Sequence, residues 1–161
     1  MDINQNTNNQ KVYVTAEGLK KLEKEYAELT KVKRKEIAEK LARARELGDL
    51  SENSAWEQAR SEQSFVEGRI QELEDILKNA VTVNVEGHGS QAVKIGSKVK
   101  VHLDGDEEEF TIVGAPEANP QQKKISHESP LGMALLGKKV GDKVEVEAPI
   151  GKINYTILAI A

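Results

Sequence analysis

The sequence predicts an α+β protein, in which an N-terminal antiparallel coiled-coil hairpin of α-helices precedes a small antiparallel β-sheet domain with a short helix. Two observations carry this prediction. Apolar residues recur at helical spacing up to about residue 80, and beyond that point they alternate with polar residues in short runs. Composition also limits function, because a chain of 161 residues without cysteine has a modest core, no thiolate chemistry and no cysteine-ligated zinc.

Two features bear on location. No apolar run approaches the roughly 20 residues that a membrane span needs. The first ten residues are polar and lack the hydrophobic segment of a secretory signal. We therefore expect a protein of the cytoplasm that has no membrane partner.

Residues 16–47 have helical composition, with no proline and with glycine only at Gly18 near the start. Thr15 is a suitable N-cap for this helix. The eleven-residue step between Tyr26 and Ile37 is longer than heptad spacing and predicts a local shift in the apolar stripe. The stripe consists of Leu19, Leu22, Tyr26, Leu29, Ile37, Leu41 and Ala44.

A second helix is predicted from the spacing of a coiled-coil seam. Its a and d positions, apolar except for Gln63, follow one another in steps of 4, 3, 4, 3 and 4, at Ala59, Gln63, Val66, Ile70, Leu73 and Leu77. Only residues 48–53 separate the two helices. Because this link is short, we expect the second helix to return antiparallel to the first.

The formal net charge of −4 divides unevenly between the two helices. Residues 20–45 hold 10 basic and 5 acidic side chains, a balance of +5, whereas residues 46–80 hold 3 and 9, a balance of −6. Opposite charge favours pairing of the two arms over self-association of like arms, so we expect a monomer. The basic run at residues 31–35 is either a solvated helix face or a docking patch for an acidic partner.

The second half of the chain has the period of β-strands. Alternating segments, separated by Gly, Asp and Pro turns, lie at residues 81–85, 98–103, 109–113, 144–147 and 153–158. A short helix is predicted over residues 129–137, with Ser129 as N-cap, Pro130 at the first helical position and Gly137 beyond its end. The predicted domains are a flexible tail at residues 1–10, a coiled-coil domain at 11–80 with an acidic tip at 48–53, and a sheet domain at 81–161.

Asp49 and Glu52, in the link between the helices, have two interpretations. Asp49 could cap the second helix while Glu52 reaches back to it, as in a capping box, or Ser51 could be the N-cap. Alternatively, the two carboxylates are part of a Mg²⁺ site, because Mg²⁺ often takes only one or two carboxylates among its oxygen ligands. Such a pair would complete a site only in a partner that supplies the remaining ligands.

The same link belongs to a longer pattern. Residues 48–53, which read Gly-Asp-Leu-Ser-Glu-Asn, are followed by Glu62-Gln63 and by the acidic helical stretch at 67–74. This pattern closely resembles the Gre family of bacterial transcript cleavage factors, of the GreA type. Further matches at residues 14–18, 125–126 and 129–137 extend the likeness over nearly all of the chain from Lys11 to Ile160.

The resemblance implies a function that depends on a partner. Members of the family bind RNA polymerase through a C-terminal domain of FKBP-like fold, while the coiled coil enters the secondary channel. It implies that Asp49 and Glu52 help to hold a catalytic Mg²⁺ at the polymerase active site, where the 3′ end of a backtracked nascent RNA is cut. On this basis the chain is not an enzyme and has no cofactor of its own.

The resemblance also implies roles for residues around these two carboxylates. Ser51 and Asn53 would shape the tip. The residues expected to dock on the polymerase are Ser126, Ser129 and Pro130, and those expected to contact the displaced RNA or the channel wall are Arg34, Arg43 and Arg45.

The chain departs from the family pattern at a few positions. Ala55 and Trp56 stand where the family often has Glu and Tyr, and Asn119 stands where many relatives have Asp. Two other functions remain open at this point. One is a Gre-like factor that occupies the channel and inhibits polymerase without stimulating cleavage. The other is a prolyl isomerase, for which Phe110 and Tyr155 supply few aromatic side chains.

Overall fold

The computed structural model describes residues 10–48, 53–84, 91–103 and 105–161. The chain forms two compact units, a helical unit at Leu19–Asn79 and a sheet unit that combines residues 10–18 with residues 80–161. The predicted coiled-coil domain began at residue 11, so the structure differs by assigning residues 11–18 to the sheet unit. Within the described residues, no helix is both long and apolar enough to cross a membrane.

The elements follow one another in an order close to the predicted one. The helices are α1 (Ala16–Glu28), a π-helical segment (Leu29–Lys33), α2 (Arg34–Glu46), α3 (Ser54–Asn79) and α4 (Pro130–Leu135). The strands are β1 (Val12–Thr15), β2 (Ala80–Val83), β3 (Lys98–Leu103), β4 (Asp106–Val113), β5 (Lys124–Ser126), β6 (Lys143–Ala148) and β7 (Gly151–Ile160).

In the helical unit, α2 packs against α3 along the predicted seam. Ile37, Val66 and Ile70 form a buried cluster, against which half-buried Tyr26 and Leu29 pack. Burial of this stripe supplies the main favourable free energy for pairing, because apolar surface leaves water. The predicted helical hairpin is therefore confirmed.

The predicted shift in the apolar stripe has a structural cause. Residues 29–33 form a π-helical segment between α1 and α2, which widens one turn and changes the face that the following residues present. The Thr30 hydroxyl donates to the carbonyl oxygens of Tyr26, at 2.7 Å, and Ala27, at 3.3 Å, within this region. The π-segment lies inside the eleven-residue step and brings Ile37 back onto the seam.

The opposite charges of the two helical arms meet in ion pairs. Arg34 donates two hydrogen bonds, of 2.7 and 2.6 Å, to the carboxylate of Glu67. Lys40 lies 2.7 Å from Glu62 farther along the same helix pair. From the first ion pair to the second, the residue number rises on α2 and falls on α3, so the two helices run antiparallel.

In the sheet unit, the strands of the main sheet lie in the order β5-β4-β3-β7-β6. Neighbours are antiparallel except that β4 and β5 run parallel. Its core is formed by fully buried side chains that include Val99, Ile112, Leu135 and Ile157. Phe110 is partly buried and packs against this core, and Tyr155 lies within it.

One strand prediction was wrong in its pairing. Residues 81–85 were expected in the antiparallel sheet, but β2 pairs in parallel with β1 and forms a separate sheet. The pairing matches Val12 with Ala80 and Thr15 with Val83. Strand β1 had not been predicted, and its partner lies 68 residues away in the chain.

Thr15 caps α1, as predicted. Its Oγ1 accepts a hydrogen bond of 3.0 Å from the N–H of Gly18. Glu117 accepts from the N–H and the hydroxyl of the same threonine, at 2.7 and 2.5 Å. The carboxylate fills the space beside Gly18, where a Cβ atom would stand 2.0 Å from the Glu117 Cδ. The start of α1 is therefore fastened to the segment that follows β4.

Candidate functional site

The predicted acidic tip lies between the end of α2 and the start of α3. Three of its predicted residues, Asp49, Ser51 and Glu52, lie outside the described residues. The structure describes both sides of this segment, at Gly48 and Asn53. The geometry of the two helix ends can therefore be followed up to each side of the acidic pair.

Helix α2 ends in a turn that requires glycine. Leu47 donates its N–H to the carbonyl of Ala44 at 3.3 Å, and Gly48 donates to that of Arg45 at 3.4 Å. Gly48 has a φ of 105°, a left-handed conformation that glycine adopts without steric cost. The glycine at position 48 thus serves to terminate the helix.

Helix α3 begins with Asn53 as its N-cap. The Asn53 Oδ1 accepts from the N–H of Trp56 at 3.2 Å, and its carbonyl accepts from Glu57 at 3.1 Å. The capping interpretation of Asp49 or Ser51 was therefore wrong for this helix. Asn, Asp and Ser are all good N-caps, and the residue directly before Ser54 takes the position.

The Asn53 side chain also reaches the other helix. Its Nδ2 donates a hydrogen bond of 2.7 Å to the carbonyl of Ala44, in the last turn of α2. This carbonyl lies in the last turn of the helix, where its backbone partner is the N–H of Leu47 at 3.3 Å in a tightened turn. One amide group therefore bonds to the ends of both helices.

A second contact joins the same helix ends. The guanidinium of Arg45 lies over the ring of Trp56, 5.4 Å from its centroid, which is within the range of a cation–π interaction. Trp56 is half-buried. The departure from the family Tyr thus keeps an aromatic face, and here that face packs against Arg45.

A hollow of about 280 Å³ lies beside these contacts on the helical unit. Its wall includes the alanines Ala44, Ala55 and Ala59 together with Leu47, whose side chain is largely exposed. Lys40, Arg43, Gln58 and Glu62 complete the lining. Small side chains on facing turns of α2 and α3 leave this space open.

The predicted basic residues do not form one cluster. Arg34 is engaged by Glu67, and the hydrogen bond from its guanidinium lowers the pKa of that carboxyl. Arg45 is engaged by Trp56. Arg43 is 79% exposed and only loosely paired with Glu39 at 3.7 Å, so it is the member most available for an anionic partner. It lies about 14 Å along the helix axis from Arg34.

The predicted docking residues lie together in the turn that precedes α4. Ser129 caps α4 by accepting from the N–H of Gly132 at 3.1 Å, and its hydroxyl donates to the carbonyl of Ser126 at 2.7 Å. The Ser126 hydroxyl accepts from the N–H of Glu128. Pro130 is at the first helical position and is exposed. Both hydroxyls therefore shape the turn, and Pro130 is the side chain that it presents to solvent.

The Asn119 departure has a local explanation. Its side chain accepts from the N–H groups of Gln121 and Gln122, at 3.1 and 3.3 Å, and caps the short helical turn Pro120–Gln122. An aspartate would accept the same bonds. The role of Glu117 was missed by sequence reasoning, because its partner Thr15 is 102 residues away and no local pattern connects them.

Histidine and acidic side chains are the residues of this chain that could hold a metal ion. In the part of the chain that the structure describes, no group of three or more His, Asp or Glu side chains is arranged to hold a metal ion. Asp49 and Glu52 lie outside the described residues. The Asn53 amide is occupied by the two helix ends.

Comparison with known proteins divides the chain into two matched regions. Residues 12–82 match the family model described as transcription elongation factor, N-terminal, and residues 88–161 match that of transcription elongation factor, GreA/GreB, C-terminal. The boundary between these models falls close to the predicted domain boundary at residue 80.

Several curated relatives are similar over most of their length. The transcription elongation factor GreA of Thermoanaerobacter pseudethanolicus is 54% identical, over 92% of this chain and 96% of the relative. GreA of Acetivibrio thermocellus is 51% identical, over 94% and 97%. A solved structure of GreA factor homolog 1 (Gfh1) from Thermus thermophilus is 33% identical, covers 94% of this chain and 99% of that one, and has a TM-score of 0.41.

Proposed function

The chain belongs to the GreA/GreB family of transcription elongation factors, and we propose that it binds bacterial RNA polymerase and stimulates cleavage of the 3′ end of backtracked RNA. The helical hairpin enters the secondary channel, and the sheet unit docks outside it. The catalytic centre belongs to the polymerase, so the factor acts without an active site of its own. It acts as a monomer in the cytoplasm.

The observation that carries this proposal is the position of the acidic pair. Helix α2 ends at Glu46 and α3 begins at Ser54, so Asp49 and Glu52 belong to the connection at the end of the hairpin. Helix α3, with 26 residues, is about 39 Å long. Two long antiparallel helices are a suitable means of carrying a pair of carboxylates into a narrow passage.

The donor set fits a shared Mg²⁺ ion. Carboxylate oxygens are preferred ligands of Mg²⁺, which commonly takes only one or two from a protein and completes its shell with water and phosphate oxygens. Because the Asn53 amide is engaged elsewhere, Asp49 and Glu52 are the tip residues that would hold the ion together with polymerase ligands. When bound, Mg²⁺ supplies a Lewis acid that activates water and stabilises the leaving oxygen of a phosphodiester.

The contacts with RNA and with the outside of the polymerase are assigned to side chains that are exposed and not engaged in strong bonds. Arg43 is an exposed arginine near the hairpin end that is only loosely paired, and we assign it the contact with the displaced RNA, whose phosphates attract cations. In the sheet unit, exposed Pro130 docks on the polymerase. The hydroxyls of Ser126 and Ser129 hold the turn that presents it.

The test is RNA release from a stalled, backtracked polymerase complex. The double variant Asp49→Ala, Glu52→Ala should lower the cleavage rate by at least about 10- to 100-fold, the range seen when groups that support a metal site are removed. The double variant should still bind polymerase with the affinity of the parent factor, measured by competition between the two. The matched control is Glu57→Ala, which removes an exposed carboxylate from the first turn of α3 and should cleave like the parent.

Two outcomes would contradict the proposal. Equal cleavage by the double variant and the parent would remove the carboxylates from the reaction. Inhibition of elongation by the parent without any RNA release would favour the channel-blocking alternative. The 51–54% identity to GreA factors supports cleavage over that alternative.

A further inference from the structure

We propose that Asn53 is a positioning residue for cleavage, in addition to being a helix cap. Its side chain ties the end of α2 to the start of α3 and so fixes the two points between which the acidic residues are connected. This inference rests on the proposed function. In this role Asn53 needs no contact with RNA or polymerase.

The Asn53 side chain makes two hydrogen bonds in opposite directions. The Oδ1 atom accepts from the N–H of Trp56, which belongs to α3, and the Nδ2 atom donates to the carbonyl of Ala44, which belongs to α2. Ala44 is only 3% exposed. Because water has little access to this residue, a bond to its carbonyl is harder to replace by solvent and is worth more than an exposed one.

Of serine, aspartate and glutamine, none can make both bonds as well as asparagine does. Serine and aspartate cap helices well, but serine is too short to reach the second helix and aspartate has no donor for a carbonyl. Glutamine has the donor, but its longer chain is not among the good N-caps. Capping alone therefore leaves several residues acceptable at position 53, and the bond to α2 favours asparagine.

A second side-chain contact joins the same ends of α2 and α3. Arg45 of α2 lies over the Trp56 ring of α3, and Gly48 closes α2 in a left-handed conformation. Two side-chain contacts and a fixed turn hold this end of the hairpin. Such restraint matters in catalysis, because a displacement of about 1 Å can cost on the order of 100-fold in rate.

The experiment compares Asn53→Ser with the parent factor in the polymerase cleavage assay, over a range of factor concentrations. We expect the maximal cleavage rate to fall by about 10- to 100-fold, while the concentration that gives half of that maximum stays unchanged. The matched control is Asn79→Ser, which removes an amide that bonds to a carbonyl at the other end of α3 and should leave both quantities unchanged.

Trp56 gives a readout that does not need the polymerase. It is the only tryptophan in the chain, so its fluorescence reports on the hairpin end in the free protein. In Asn53→Ser we expect faster quenching by a small neutral quencher, with unchanged helical circular dichroism. Asn53→Asp, which keeps the cap acceptor but lacks the donor, should behave in the same way and replaces the serine variant if that one fails to fold.

The outcomes separate this inference from the proposed function. If Asn53→Ser and Asn53→Asp reach the maximal rate of the parent, Asn53 is only a helix cap and the inference is overturned. If the parent itself releases no RNA, the proposed function fails. The quenching result in the free protein still reports whether Asn53 holds the two helix ends together.

Discussion

The helical unit and the sheet unit bury their apolar side chains in different ways. In the sheet unit, Val99, Ile112 and Leu135 are completely buried and belong to one cluster enclosed by β-strands and α4. In the helical unit, buried residues such as Ile37 and Ile70 lie along a single seam between two helices. A two-helix seam leaves most of each helix exposed. The sheet unit therefore has an enclosed core, whereas the helical unit leaves more of its side-chain surface open to solvent.

The largest expected effect compares one isoleucine from each unit. Ile112→Ala should lower the free energy of unfolding of the sheet unit by about 4 kcal/mol, near the upper end for such truncations, because its neighbours enclose the cavity. Ile70→Ala should cost the helical unit about 2–3 kcal/mol, because two helices can move together and close part of the space. Ile112 and Ile70 are both almost fully buried in the parent protein.

The measurement must follow each unit separately. Amide hydrogen exchange of β4 reports on the sheet unit. Urea unfolding followed by Trp56 fluorescence reports on the helical unit. A larger loss for Ile70→Ala than for Ile112→Ala would show that the seam is as tightly enclosed as the sheet core and would contradict the comparison.

A smaller effect is expected at two helical glycines. Gly132 of α4 packs so closely that an added Cβ would stand 2.0 Å from the Ser126 carbonyl oxygen, whereas Gly68 of α3 has nothing within 4 Å of that position. Gly132→Ala should destabilise the sheet unit by about 1–3 kcal/mol through overpacking. Gly68→Ala should stabilise the helical unit by about 0.5–1 kcal/mol, since alanine favours a helix.

Changes of opposite sign in the free energy of unfolding, for Gly132→Ala and Gly68→Ala, would support the contrast between the two units. The same probes apply, Trp56 fluorescence for Gly68→Ala and hydrogen exchange of β5 and α4 for Gly132→Ala. Stabilisation by Gly132→Ala would mean that the backbone around Ser126 yields easily, and the sheet unit would then be less tightly packed than its core suggests.

How much could be predicted from the sequence also differs between the units. The seam residues of α3 and the shift before Ile37 follow from local spacing, because helical periodicity is a property of neighbouring residues. The pairing of β1 with β2 and the hydrogen bond that Thr15 donates to Glu117 join residues far apart in the chain. No local pattern identifies such partners, so the sheet unit was predicted less completely.

The candidate site illustrates the same limit within a few residues. Asp49, Ser51 and Asn53 are all of types that cap helices, and the capping-box spacing favoured Asp49. The structure selects Asn53, because its amide also meets the carbonyl of Ala44 across the hairpin. That bond depends on how two helices approach each other. A rule about one helix terminus contains no information on it.

The smallest expected effect concerns the ion pair of Arg34 with Glu67, which joins α2 to α3 outside the seam. The hydrogen bond from Arg34 lowers the pKa of the Glu67 carboxyl below its usual value of 4.5. A carboxyl whose pKa is lowered in the folded state stabilises that state above its unfolded pKa, and it loses this contribution as the pH falls through the folded pKa. Both side chains are substantially exposed, so the contribution is small.

Glu67→Gln should therefore lower the urea midpoint of the helical unit slightly at pH 7, and this difference should disappear as the pH falls through the folded pKa of the parent carboxyl. Raising the salt concentration at pH 7 should reduce the difference, because exposed charges are screened. The matched variant in the sheet unit is Glu107→Gln, which removes the partner of Lys100 on the neighbouring strand. If Glu67→Gln cost more than Ile70→Ala, the ion pairs rather than the seam would hold the two helices together.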